Sequence, residues 1–200
     1  MQKNIKNLIF DVGNVLLEYR WHDMLMDYGL SAKEANDVGD QIFDNNLWSA
    51  MDLGTMETDE IIEAYAKLYP NYADLIRWFI THGELMHVKR EDVWKRVHEL
   101  KEKGYHIYLL SNYSKDLFEL HTSEASFMQD IDGKVVSYQI HIGKPDAAIY
   151  QYLLDTYELK PQESVFFDDR EENTAAAERM GIKSYTITSK EYLLQVLEEF

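Results

Sequence analysis

Ile5-Lys6-Asn7-Leu8-Ile9-Phe10-Asp11-Val12-Gly13-Asn14 opens apolar and closes on a carboxylate and a turn. Leu8, Ile9 and Phe10 form the short apolar run of a strand buried on both faces, and Val12-Gly13-Asn14 breaks it. The same pattern returns downstream. Tyr105 to Leu110 closes on Ser111-Asn112, and Ser164 to Phe167 closes on Asp168-Asp169. Further strands are read at Val135 to Ile142, after an Asp132-Gly133 turn, and at Ile182 to Ile187. Helices fall between them. Val93, Trp94, Val97 and Leu100 mark one closed by Gly104, and Leu117 to His121 another. Pro145, read as the first helical residue, opens a helix to Tyr157, Asn173 to Met180 ends at Gly181, and the last runs from Lys190 to Phe200. Alternation of this kind predicts an α/β fold with a Rossmann-like parallel sheet.

One segment departs from the alternation. From Trp21 to Met86 the pattern is helical, rich in Met, Tyr and Trp, with no convincing strand. Thr58 reads as the N-cap of a helix to Leu68, which Pro70 ends, and Tyr72 to Leu85 forms the next. The expected organisation is an α/β core of residues 1–17 and 87–200, interrupted by a helical insertion of residues 18–86.

Composition narrows the function. The 200 residues are 46% hydrophobic and 13% aromatic, enough for a substantial core. A net charge of −16 disfavours nucleic acid and anionic membrane as partners. With no cysteine there is no thiolate nucleophile or thiolate metal site, which suits a cytoplasmic location. The apolar run after Met1-Gln2-Lys3-Asn4 is too short for a signal peptide, and no stretch reaches the roughly 18 apolar residues of a membrane span. The seven histidines show no His-x-x-x-His pairing for zinc.

Parallel sheets bind ligands beyond the carboxyl ends of their strands. Asp11, Ser111, Asp168 and Asp169 stand at those ends, and Lys144 precedes a helix start, where a cation opposes the helix dipole. Oxygen ligands with one lysine suit Mg²⁺ and a phosphate group. Taken singly, each has a bland reading: Asp11 a loop residue, Ser111 a cap or turn, Asp169 with Glu172 a capping box.

Together the motifs resemble the haloacid dehalogenase-like superfamily of hydrolases. Ile9 to Val15 matches its first motif, Leu109-Leu110-Ser111-Asn112 the second, Gly143-Lys144-Pro145-Asp146 the third, and Val165 to Asp169 with Asn173 the fourth. The opening and closing motifs are similar to bacterial glucose-1-phosphate-type sugar phosphatases and to the phosphatase domain of soluble epoxide hydrolases. The resemblance implies Asp11 as a nucleophile forming an aspartyl-phosphate. It implies Ser111, Asn112 and Lys144 as phosphoryl-binding residues, Lys144 also orienting Asp11. Asp11, Asp169 and the Gly13 carbonyl would hold Mg²⁺, with Asp168 coordinating or close behind. The helical insertion would be the family's mobile cap. The expected function is a Mg²⁺-dependent phosphatase of a small phosphorylated metabolite, a sugar phosphate first among them.

Gly13 departs from the family pattern, where most phosphatases carry a second Asp as general acid and base. Losing such a group typically costs 10²–10⁴-fold. A substrate with a good leaving group, such as a sugar 1-phosphate with its less basic anomeric oxygen, would fit this loss. Glu18, His22 or a cap residue are candidates to replace the group. Haloacid dehalogenases also lack the second Asp, but their reaction needs no metal, and Asp168-Asp169 favours phosphate chemistry. A catalytically weak phosphate-binding or regulatory protein is the third reading, resting on Gly13 alone. Trp21, Trp48, Asp52 and Thr55 are candidate specificity residues, though aromatics at helical spacing are more often core. His141 is a candidate to reach the crevice, and Arg170 to touch substrate or neutralise Asp168.

Overall fold

The computed structural model describes residues 5–200; the Met1-Gln2-Lys3-Asn4 terminus lies outside them. Strand β1 (Asn7–Phe10) is followed by β2 (Leu17–Tyr19). Five helices come next: α1 (Trp21–Asp27), α2 (Ala32–Phe43), α3 (Asn46–Asp52), α4 (Thr58–Leu68) and α5 (Ala73–Thr81). The chain returns through β3 (His87–Lys89), α6 (Glu91–Glu102), β4 (His106–Ser111) and α7 (Lys115–Thr122). It continues with β5 (Gly133–Val136), the single turn α8 (Ser137–Ile140), and α9 (Ala147–Thr156). Strand β6 (Ser164–Asp168), α10 (Glu171–Arg179), β7 (Lys183–Thr186) and α11 (Lys190–Leu197) complete it.

The main sheet is parallel, in the order β5-β4-β1-β6-β7. Its central strand is buried on both faces. Leu8 and Phe10 join an apolar cluster that extends into α1–α5, while Ile9 joins a second cluster with Tyr150, Phe166 and Leu153. Phe10 pairs with Leu109 on one side and Phe167 on the other. That register puts Asp11, Ser111 and Asp168 at the same edge. Connections from β1 and β6 leave in opposite directions along the sheet, so this edge is also its switch point.

The α/β reading holds, with local corrections. Strands β2 and β3 form an antiparallel ribbon at the two ends of the helical segment; three residues each are too few to show alternation. Strand β5 stops at Val136, and Ser137 to Ile140 turn helical rather than extended. Glu57, not Thr58, occupies the N-cap of α4, in a reciprocal box with Glu60. Pro145 lies before α9, whose N-cap is Asp146, so Lys144 is two residues before the cap. No capping box forms at Asp169: the N-cap of α10 is Arg170.

Candidate active site

Strand ends place three of the candidate side chains, Asp11 just after β1 and Ser111 and Asp168 as the last residues of β4 and β6, while Lys144 comes from the loop before α9. Asp11 leaves β1 with its N–H bonded to the Phe167 carbonyl at 2.9 Å, locking it between β4 and β6. The Ser111 hydroxyl, fully buried, donates to Asp11 Oδ1 at 2.6 Å. Lys144 Nζ stands 3.0 Å from Asp11 Oδ1 and 2.6 Å from Asp168 Oδ2, and also donates to the Leu110 carbonyl at 2.9 Å. All three donor positions of the ammonium are therefore used. Asp168 has no exposed surface, and its second oxygen accepts from the Arg170 N–H and from Asn173 Nδ2, both at 2.9 Å.

Asp169 is held from the loop after β1. Its Oδ2 accepts from Asn14 Nδ2 at 2.9 Å, and Asn14 holds a left-handed backbone at φ 53° to make that contact. The Asn14 carbonyl is anchored by Arg90, a largely buried guanidinium, at 2.6 Å, and the Trp94 indole donates to the Leu16 carbonyl at 2.6 Å. Helix α6 thus braces the loop carrying Gly13. Asn112 uses its carbonyl and one amide proton, each at 2.8 Å, on the main chain of Lys144. Its side chain clamps the lysine in place.

Asp11, Asp168 and Asp169 each bring a carboxylate oxygen within 4.8 Å of the others. Lys144 is the cation in contact with Asp11 and Asp168. Arg170, weighed to touch substrate or to neutralise Asp168, pairs its guanidinium with Glu172 at 2.6 Å and lines the same cavity as Asp11, Lys144 and Asp169. Burial pushes the Asp11 carboxyl up to about 7; Lys144 and Ser111 oppose this, while Asp168 and Asp169 reinforce it. Burial also raises Asp169, against the Asn14 hydrogen bond. For Lys144 burial works against the charge, yet Asp11 and Asp168 outweigh it and hold the ammonium above its usual range. Three carboxylates against one ammonium leave excess negative charge, and an all-oxygen donor set of this kind fits a hard divalent cation.

A cavity of about 420 Å³ opens in front of Asp11, Lys144 and Asp169. Asn112, Gly13 and Asn14 line its floor, and Trp21, Phe43, Trp48 and Asp52 line the side formed by the helical segment. Trp21 and Trp48 also pack edge-on against Phe43, so they serve both as core and as wall. The remaining candidates fall elsewhere. Thr55 is exposed and bonds back to the Ala50 carbonyl, and His22 to the Ala32 carbonyl. Glu18 is exposed, 3.7 Å from Arg90. His141 reaches the Leu53 carbonyl at 2.7 Å rather than the cavity.

Tyr19 has no counterpart in the sequence reading. A Cβ at Gly13 would lie 2.4 Å from its Cε2 and 3.1 Å from its hydroxyl. The ring fills the space a side chain at residue 13 would need. A lone tyrosine ahead of a helix carries no periodic signal that would have revealed this.

Comparison with known proteins gives the family and the fold. The family model for haloacid dehalogenase-like hydrolases matches residues 5–181. The drimenol cyclase of Aspergillus calidoustus is 25% identical over 190 residues, covering 94% of this chain and 35% of that protein. Bifunctional epoxide hydrolase 2 of Mus musculus is 34% identical over 104 residues, 50% of this chain and 19% of that protein. The chain thus spans about a third or less of these two relatives. It is similar along most of their length to a sesquiterpene phosphatase of Aspergillus oryzae (27% identity, 94% and 92% covered) and a D-ribitol-5-phosphate phosphatase of Bacteroides thetaiotaomicron (23%, 90% and 91%). In fold it is similar to a Bacteroides thetaiotaomicron enzyme of the family solved with magnesium and inorganic phosphate (TM-score 0.73, 21% identity, 92% and 95% covered). A dehalogenase structure gives the same TM-score of 0.73 (19% identity, 94% and 87%). On its motifs, its sheet and the extent of the match, the chain belongs to the haloacid dehalogenase-like hydrolases.

Proposed function

We propose that this hydrolase is a Mg²⁺-dependent phosphatase of a small phosphate monoester, with a sugar phosphate as the expected substrate. The observation that carries the reading is the convergence of Asp168 and Asp169 on Asp11, with Lys144 as the cation in contact. Asp11 attacks phosphorus and forms the aspartyl-phosphate. Ser111 and Lys144 orient its carboxylate, and Lys144, with the strand-end loops around Ser111 and Asn112, stabilises the phosphoryl oxygens. Asp11, Asp169 and the Gly13 carbonyl would hold Mg²⁺, with Asp168 close behind as the anchor of Lys144. When bound, the ion supplies charge neutralisation at the transferring phosphoryl group. Residues 18–86 act as a cap over a core of residues 1–17 and 87–200, its aromatic wall excluding water from the cavity.

The phosphatase relatives and the magnesium and phosphate complex of a structural neighbour support this reading. So does Asp169, which a metal-free displacement of halide does not need. A dehalogenase is the second reading, favoured by Gly13 and by the dehalogenase neighbour. A cytoplasmic setting fits the cysteine-free chain, and among the described residues no helix is long and apolar enough to cross a membrane. Assays of phosphate release from a sugar-phosphate panel and halide release from 2-haloacids decide between the two. Phosphate release alone is expected; halide release alone would reverse the assignment.

A further inference from the structure

The proton that a residue-13 carboxylate would handle has to come from elsewhere, because Tyr19 fills that place. Ser137 and His141 hold the α3 end against the sheet. The Ser137 hydroxyl, which accepts the Tyr113 N–H, donates to the Asp52 carbonyl, and His141 bonds the Leu53 carbonyl. Gly54 follows with φ +60°, where a Cβ would lie 3.0 Å from the Tyr138 carbonyl. This clamp fixes Asp52 on the wall of the cavity that Asp11 floors.

We propose that Asp52 is the general acid and base of this enzyme, replacing the carboxylate absent at Gly13; the proposal rests on the phosphatase reading above. As the Asp11 oxygen bonds to phosphorus and the ester bond breaks, the Asp52 carboxyl gives its proton to the leaving oxygen, releasing an alcohol. The Asp52 carboxylate then takes a proton from the water that attacks the aspartyl-phosphate. Inorganic phosphate leaves, and Asp11 carboxylate and Asp52 carboxyl are restored. The groups around Asp52 suit the role. Burial pushes its carboxyl up to about 7, with the Ser114 N–H, Lys144 and the Trp48 indole opposing and Asp11 reinforcing. The Tyr19 and Tyr113 phenols also face it and stay neutral, both raised by burial. Glu18 and His22 do not line this cavity. Asp44 does, but exposed and without such a clamp.

The test compares phenyl phosphate, a poor leaving group, with dinitrophenyl phosphate, a good one, in wild type and Asp52→Asn. Asp52→Asn is expected to lower kcat/KM for phenyl phosphate by about 10²–10⁴-fold while that for dinitrophenyl phosphate barely moves. Dinitrophenol should then appear as a burst of one equivalent per site, because hydrolysis of the aspartyl-phosphate has lost its base. The kcat/KM profile should also lose its alkaline limb near pH 7. Equal losses on both esters, or no loss on phenyl phosphate, would overturn the role of Asp52 and leave the phosphatase standing. Failure of the wild type to release phosphate from either ester would overturn both.

Discussion

Lys144 is held between Asp11 and Asp168 with 1% of its side chain exposed. Removing one member of a buried ion pair leaves the others uncompensated, at a cost of about 3–5 kcal/mol. Lys144→Met is expected to lose stability on that scale in urea unfolding, more at pH 8 than at pH 5, where Asp11 can take up a proton. A loss under about 1 kcal/mol would mean the carboxylates are balanced by something else. His121 carries a second prediction. Its Nε2 donates to the Gly83 carbonyl at 2.8 Å, which leaves Nδ1 to accept from the Tyr113 hydroxyl at 2.7 Å. Burial lowers its pKa from 6.5 to about 4, outweighing the Gly83 carbonyl. The unfolded chain therefore binds this proton at a higher pH than the folded one. Stability is lost as pH falls from 6.5 to 4, by on the order of 3 kcal/mol at ~1.4 per pKa unit. His121→Gln should lose less on that acidification than wild type; equal losses would contradict the assignment.

At the scale of elements, the loop from Asp11 to Leu17 and its braces explain what the sequence could and could not tell. Asp11, Ser111, Lys144, Asp168 and Asp169 were legible because they stand at strand ends or just before a helix, positions that apolar runs and breakers mark. The clamp of Asn112 on the Lys144 main chain, the Asn14 bond to Asp169 and the Arg90 brace were not, because long-range hydrogen bonds leave no periodic trace. The β2–β3 ribbon was hidden by its length, and the Asp169–Glu172 capping pattern pointed to a bond that α10 does not make. Tyr19 is the largest omission. Its ring is fixed between Tyr113 and His121, with centroids 5.9 and 6.3 Å away, and cannot swing aside freely. Gly13→Asp, which would restore the family pattern on paper, is therefore expected to destabilise by about 1–3 kcal/mol through overpacking. Combining it with Tyr19→Ala should relieve most of that loss. A stable, more active Gly13→Asp single variant would show that the ring yields.

For the whole molecule, the parallel sheet assembles the carboxylates and the helical segment supplies the aromatic wall and Asp52. Under the proposed phosphatase function, the −16 net charge calls for local compensation at the phosphoryl site, and Lys144 alone does not provide it. The most direct measurement is phosphate release with Mg²⁺ and with chelator, for wild type and Asp11→Asn. Release by the wild type with Mg²⁺, lost on chelation and absent from a folded Asp11→Asn, is the predicted result. Undiminished release by Asp11→Asn, or release indifferent to chelation, would contradict it.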